Sequence, residues 1–338
     1  MHLIGVIKNT ILIAMYGQGH TRGRTAILKF PAATNQACAA ITLNKYFHSD
    51  FILQDLIRRY DELRNLANDG GQKNLSGSLI KSLNVSYPKS IEQQKIADSL
   101  TSVDDKIGQL ERKKAALEAY KKGMMQQLFS QQTRFKNDQD EGFPEWEVKK
   151  LGELGETYGG LTGKTKDDFG EGKPYIQYTQ LYASSVISID NCGLVEISPS
   201  ERQNQVNSGD LFFTTSSETP NEIALSCVLL EEPKEVYLNS FCFGYRLKKP
   251  NKSFSKFLSY LLKTSTMRRK IIPLAQGSTR YNISKKELMK ISIQVPHPSE
   301  QQKIADFLTA LDCKIDLIAQ ELSQAQSFKK GLLQKMFV

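Results

Sequence analysis

Hydrophobic residues fall on a three-and-four rhythm in two long stretches of this chain. In the first, Ile96, Leu100, Val103, Ile107, Leu110 and Leu117 keep the alternating steps, with Lys114 interrupting the run. In the second, Ile304, Leu308, Leu311, Ile315, Ile318, Leu322 and Ala325 follow the same rhythm. This is the a/d seam of a heptad helix. Pro88 precedes the first stretch, and Pro296 and Pro298 precede the second; Ser90 and Ser299, each followed by an early acid, are placed as N-caps. A helix of this length spans roughly 57 Å at about 1.5 Å per residue, and it cannot bury its seam alone. The economical solution is an antiparallel coiled coil of the two within one chain. The plainer alternative is that each seam packs on a neighbouring globular domain. The two stretches are also copies of each other. Residues 92–129 and 300–337 align without a gap at an offset of 208, with 17 of 38 positions identical. A long-period repeat of one helical unit marks a modular chain, in which the intervening sequence carries whatever distinguishes the modules.

Elsewhere the patterning is that of short strands. Residues 131–145 are polar and loop-like; after Trp146, strand candidates lie at 175–178, 186–189, 210–214, 223–230, 240–247 and 291–295. Val148, Leu151 and Leu154 suggest an opening strand or short helix, and 254–272 carries a helical face of Phe257, Leu258, Leu261 and Leu262. The N-terminal region parallels the later half of this domain: 11–15 matches 211–215, 35–41 matches 239–245, 51–66 matches 257–272, and 70–76 matches 276–284. A counterpart of Trp146 would fall before residue 1, so residues 1–88 read as the second half of a domain whose first sixty-odd residues are absent. The expected organisation is α+β: a partial module at 1–88, a long helix at 89–130, a full module at 131–298 and a second long helix at 299–338.

Charge changes the picture modestly. The 45 basic and 36 acidic residues leave a net charge of +9, which favours a polyanionic partner without singling one out. The five cysteines, Cys38, Cys192, Cys227, Cys242 and Cys313, are odd in number and scattered, which fits a reducing cytoplasm better than a disulfide framework. No apolar run approaches the ~18 residues of a membrane span, and the opening residues read as strand material rather than a signal peptide.

Catalytic constellations are not legible. His2, His20, His48 and His297 lack metal-ligand spacing. Gly163-Lys164-Thr165 resembles the end of a P-loop, but Tyr158 stands where the pattern requires glycine. Asp168, Glu171 and Lys173 mimic a nuclease set with the wrong spacing and read as loop charges. There is neither a Gly-x-Ser-x-Gly elbow nor an Asn/Asp-Pro-Pro methyl-transfer signature.

The segment EQQKIA behind a proline-rich turn, followed by a heptad helix ending KKG…QxxF, resembles the conserved regions of the type I restriction-modification specificity subunit. ILIAMYG…TRGRTAIL…ATNQACAAI and GFPEWEVKKLGEL are similar to its target recognition domains. The resemblance covers essentially the whole chain and departs from the family in the short first target domain. It implies a non-catalytic subunit whose two target domains each read half of a split site in double-stranded DNA. The helices would serve as spacer and as the platform for two modification subunits, which restriction subunits can join. S-adenosylmethionine, ATP and Mg would belong to those partners, with no cofactor in this chain and no membrane association. The partial first domain leaves room for self-association. A coiled-coil assembly adaptor without DNA specificity is the alternative, and a self-sufficient restriction–methylation enzyme is argued against by the missing motifs.

Given that resemblance, the readers should be loops rich in the side chains that reach base edges and phosphates. In the full module these are Tyr158, Thr162, Lys164 and Lys166; Thr214, Thr215, Ser216, Ser217 and Glu218; and Gln276, Ser278, Thr279, Arg280 and Asn282. In the partial module they are Tyr16, Gln18, Thr21, Arg22 and Arg24, with Gln72, Lys73 and Asn74. Lys121, Lys122, Lys329 and Lys330 are placed in last helical turns, where a cation suits the helix dipole.

Overall fold

The computed structural model describes residues 4–17, 19–66, 74–183 and 185–337. The chain divides into two compact units, one of Met1–Ala116 with Ile315–Val338 and one of Leu117–Lys314. Two long helices, Ser90–Phe129 and Pro298–Met336, each contribute to both.

The larger unit is built on a five-stranded sheet in the order Gly155–Gly159, Cys242–Leu247, Leu211–Thr214, Ser226–Leu229, Val186–Ile187. All four residues of Leu211–Thr214 and of Ser226–Leu229 are buried, because both faces of the sheet are covered. The period of two divides them: Leu211, Phe213 and Val228 face a core with Phe257, Leu258 and Tyr245, whereas Phe212, Cys227 and Leu229 face one with Ile176, Val206 and Leu238.

The expected helix over 254–272 is two helices, Lys252–Leu261 and Ser265–Ile271. Thr264 separates them: its Oγ1 donates to the Leu261 carbonyl at 2.7 Å and accepts from Met267 N at 3.3 Å, ending one helix and capping the next. The expected strand over 223–230 is shortened to Ser226–Leu229, since Pro220–Glu222 forms a 3₁₀ turn and Ala224 takes φ 48°.

The smaller unit repeats the central strands in the order Thr25–Ile27, Ile11–Ala14, Cys38–Ile41. Its register matches the larger unit. Ile11 pairs Ile41 and Ile27 as Leu211 pairs Tyr245 and Val228, and Ala14 pairs Cys38 as Thr214 pairs Cys242. Local chemistry reproduces the turns. Asn35 Oδ1 accepts from Ala37 N at 3.0 Å, as Asn239 Oδ1 does from Phe241 N at 2.9 Å. Gly23 (φ 81°) occupies the position of Ala224. The 51–66 helix is likewise split, into Ser49–Arg58 and Tyr60–Asn65.

Seam residues Leu100, Leu110, Ile304, Leu308, Leu311 and Ile318 are buried, and Ile96, Val103, Ile107, Ile315, Leu322 and Ala325 are half-buried. Two expectations about the helix ends are corrected. Ser90 and Ser299 lie inside their helices rather than at the N-caps. Pro298, whose fixed φ suits a first turn, opens the second helix, and His297 Nδ1 accepts from Ser299 N at 3.3 Å. Nor do Lys121, Lys122, Lys329 and Lys330 sit in last turns, for the helices run on to Phe129 and Met336. Two of them form ion pairs instead, Lys121 with Asp312 and Lys329 with Asp104 (2.7 Å).

In the larger unit the start of the second long helix is clamped from the side. Glu300 is fully buried; it accepts from Arg134 Nε at 3.1 Å, Arg134 Nη2 at 2.8 Å and Trp146 Nε1 at 3.0 Å. The chain continues from Trp146 into strand Glu147–Lys150, which pairs antiparallel with Ser292–Val295.

Candidate nucleic-acid interface

Topology, not sequence proximity, joins two of the three candidate loops. Ser216–Ser217 pairs with Tyr281–Ile283, Ser216 opposite Asn282 and Ser217 opposite Tyr281. Ala275–Gln276 adds the third strand, with Gln276 opposite Asn282. The hairpin tip between them holds Ser278, Thr279 and Arg280, all exposed. The tip needs glycine at 277: φ is 120°, and a Cβ there would stand 2.2 Å from the Arg280 carbonyl oxygen. Arg280 lies over the ring of Phe241 at 5.1 Å, and Phe241 is 51% exposed. Glu218 is exposed at the end of the neighbouring strand.

Beneath the tip, the Thr214 and Ser217 hydroxyls are held inside the fold. Thr214 is buried, its Oγ1 donating to the Glu222 carbonyl at 3.0 Å and accepting from Leu225 N at 3.2 Å. Ser217 is buried and donates to Glu222 Oε2 at 2.9 Å. Ser216 is buried, and its carbonyl accepts from the Tyr178 hydroxyl at 2.6 Å. Thr215 is half-buried and its N–H donates to the Phe241 carbonyl at 2.9 Å. These four hold the platform, while the exposed tip meets solvent.

The first loop reaches the same turn from its other side. Leu161 N donates to the Leu238 carbonyl at 2.7 Å and Gly160 N to the Cys242 carbonyl at 3.3 Å, so the turn at 239–241 lies between this loop and the hairpin. Within it only part is free to meet a ligand. Tyr158 donates to Asp210 Oδ2 at 2.6 Å beneath the Arg246 guanidinium, and burial with the Asp210 charge pushes its phenol well above the usual range. Lys164 pairs with Glu201 at 2.7 Å with 5% of its side chain exposed. That contact, with Gln203 and the Ser198 N–H, holds Glu201 down to about 2. Thr162 is exposed but bonded to Gln203 through its N–H (3.1 Å), its hydroxyl (3.4 Å) and its carbonyl (2.9 Å), and Lys166 is exposed without an ion pair among the described residues.

In the smaller unit Tyr16 is 42% exposed, Thr21 is exposed, and Arg24 is exposed with its Nε donating to the His20 carbonyl at 2.9 Å. Arg22 is buried and donates to the Arg64 carbonyl at 3.0 Å. Asn74 is half-buried next to Leu75, whose N–H donates to the Met15 carbonyl as Ile283 N does to Thr215. Gln18, Gln72 and Lys73 lie outside the described residues.

Sequence reasoning missed Phe241, Tyr178 and Tyr182. Tyr178 and Tyr182 meet as a tilted ring pair, centroids 5.2 Å apart, and Tyr182 is 38% exposed. The available signal for Phe241 was an Asn two residues before an aromatic, the pattern of an Asx turn whose Oδ1 accepts from the Phe241 N–H. A polar hairpin with one stacked arginine and exposed aromatic faces has the equipment to hydrogen-bond base edges and stack on bases.

The comparisons agree with one another. The model of the type I restriction modification DNA specificity domain matches residues 5–119 and 144–327. The specificity subunit of type I restriction enzyme MjaVIII from Methanocaldococcus jannaschii is 25% identical over 311 residues, covering 86% of this chain and 69% of that protein. The MjaIX specificity subunit of the same organism is 29% identical over 212 residues, 61% of this chain and 46% of its own length. Among solved structures, the type I restriction-modification S subunit from M. genitalium superposes with a TM-score of 0.64 at 18% identity, over 98% of this chain and 84% of that one. A chain from a structure of the type I R-M system superposes at 0.55 and 14% identity, over 98% and 82%. With its family model matched through both units, the chain belongs to the type I restriction modification DNA specificity family.

Proposed function

We propose that this chain is the sequence-reading subunit of a cytoplasmic type I restriction-modification complex, binding double-stranded DNA at a split site. Each unit reads one half, the larger through the 276–282 hairpin, Glu218 and Phe241. The chemistry lies on partners: two modification subunits and, where present, restriction subunits, which would carry S-adenosylmethionine, ATP and Mg. This chain supplies recognition and a docking platform, not catalysis.

The observation that carries this reading is the family match running through both halves of a chain that contains the same helix twice. Antiparallel pairing of the helices is supported by the ion pairs. Passing from Lys121 to Asp104 moves back along the first helix, and their partners, Asp312 and Lys329, advance by the same 17 residues along the second. Helix length then sets the length of DNA that is not read.

The test is a methylome of cells carrying this chain with its modification subunit. A split motif is expected, and insertion of one heptad into a long helix should change its spacer. An unchanged spacer refutes the role of the helices. A DNA mobility shift lost as salt rises separates this reading from an assembly adaptor, which would show no shift.

A further inference from the structure

The first candidate loop and the hairpin converge on one end of the five-stranded sheet. There strand Gly155–Gly159 finishes, strand Cys242–Leu247 begins and strand Leu211–Thr214 finishes. Lys285 lies at this end, three residues after Asn282 of the hairpin. Ile283 is buried, and Ser284 Oγ accepts from Glu287 N at 3.4 Å, which starts the short helix Lys285–Met289. The Lys285 ammonium stands over the Phe243 ring, 5.4 Å from its centroid, and that ring is stacked on Phe213 at 5.1 Å in the core. Beside it is Gly159, from which the first loop departs. A Cβ on Gly159 would stand 3.9 Å from Lys285 Nζ and, chain neighbours apart, meet nothing else within 4 Å, so the space between them is open.

Other half-buried lysines are partnered. Lys121, Lys164, Lys256, Lys303 and Lys329 each meet a carboxylate, and Lys263 meets Ser185 Oγ. Lys285 is half-buried with neither a hydrogen bond nor an ion pair among the described residues. Burial pulls its ammonium below the usual lysine range. A partly desolvated charge is costly unless an opposite charge meets it. The Phe243 ring offsets part of that cost but accepts no hydrogen bond from the three N–H donors in the usual sense. The smaller unit has no cation at the matching position. Ser76 Oγ accepts from Leu79 N at 3.3 Å as Ser284 does from Glu287 N, yet Gly77 stands 208 residues before Lys285. Ala39, opposite Ile13, stands where Phe243 is opposite Phe213.

We propose that Lys285 grips a backbone phosphate of the DNA, a sequence-independent anchor at the root of the hairpin that the larger unit has and the smaller unit lacks at the matching position. The ligand chemistry follows from what is left unmet: a compact cation with rotatable donors, braced from below by a ring, takes a single anionic oxygen rather than a patterned base edge. The fork-shaped Arg280 and the exposed face of Phe241 at the same end of the sheet suit bases instead. The anchor presupposes the DNA-reading role proposed above and adds which unit holds the duplex whatever its sequence.

The test uses the full chain and a fluorescein-labelled duplex of random sequence, read by anisotropy over a series of salt concentrations. Lys285→Met is expected to weaken binding roughly tenfold and to flatten the slope of log affinity against log salt by about 0.9, the loss of one phosphate contact. Lys285→Arg should keep both. Methionine keeps an apolar stem over Phe243 and removes an unpaired cation, so the urea midpoint should not fall; a lower midpoint would make Lys285 structural and overturn the anchor. Lys249→Met, at an exposed lysine past the opposite end of strand Cys242–Leu247, removes the same charge and should change little. Parent-like affinity and slope in Lys285→Met overturn the proposal and leave the cation to a partner protein's carboxylate. An equal loss in Lys249→Met overturns it in favour of net charge alone. A parent chain that binds no duplex sinks the DNA-reading role and the anchor together, which keeps the two failures distinct.

Discussion

The same glutamate, repeated in one chain, should have very different worth at its two positions. Glu300→Ala removes three hydrogen bonds from a fully buried carboxylate and leaves the Trp146 Nε1–H unpaired at a residue only 7% exposed. Removing one partner of a buried ion pair costs about 3–5 kcal/mol. Arg134 keeps 21% of its side chain exposed and keeps its bonds to the Phe143 and Pro144 carbonyls, which moves the expectation to the low end, about 3 kcal/mol. Glu92→Ala, at the exposed copy, should change stability by less than about 0.5 kcal/mol. Urea unfolding resolves the two. Trp146, the single tryptophan, reports on the larger unit by fluorescence, and far-ultraviolet circular dichroism follows both units. At a slope of about 1–3 kcal/mol per molar, the Glu300 variant should lose roughly 1–3 M in midpoint. Equal shifts for the two variants, or a loss below about 1 kcal/mol at Glu300, would refute the clamp.

Three further outcomes follow. Lys263 lies mostly buried, donating to Ser185 Oγ at 2.8 Å near Cys227, Lys121 and Asp312, and burial pulls its ammonium down to about 8. Between pH 8 and its unfolded value near 10.5 the unfolded chain binds the extra proton, so this group's penalty is full below pH 8 and fades as pH rises. Lys263→Met should therefore stabilise by about 2 kcal/mol at pH 7, an advantage that shrinks toward pH 10 in parallel denaturant titrations; a pH-independent difference contradicts the assignment. Gly277→Ala should weaken DNA binding at least tenfold and cost about 1–3 kcal/mol of stability through strain at the hairpin tip; a parent-like mobility shift counts against the tip as reader. Arg280→Ala should relax choice at one base by about 1–3 kcal/mol in a competition panel, and a uniform loss across all sequences would make it a phosphate contact instead.

The long helices were legible because a seam repeated over about six turns leaves a periodic trace that no local interaction erases. The doubled strands were legible for a related reason: matching Ile11 to Leu211 and Asn35 to Asn239 required only similar short words, and the register then repeats. The helix breaks were not, because Thr264 acts through two hydrogen bonds of one side chain inside an otherwise helical pattern. The N-caps were misplaced for the converse reason: serine is common at caps, but Pro298 and His297 settle that helix start. Glu92 and Glu300 show the limit most clearly. Identical words carry opposite burial, because burial is decided by residues far away in sequence.

The same limit divides the candidate readers. Polarity marked Thr214, Ser217 and Lys164 as equals of Ser278, Thr279 and Arg280, yet the first three are consumed by Glu222, the Leu225 N–H or Glu201. Covering by distant elements decides this: the adjacent Ser216 and Ser217 are both buried, and no composition rule reports which surfaces are wet. The result is a separation of duties. The buried hydroxyls fix the platform, so changing them costs stability; the tip at 277–280, Glu218 and Phe241 touch little of the core, so changing them leaves the fold standing. Substitutions confined to the tip should redirect base choice, while substitutions in the platform should abolish binding to every sequence alike.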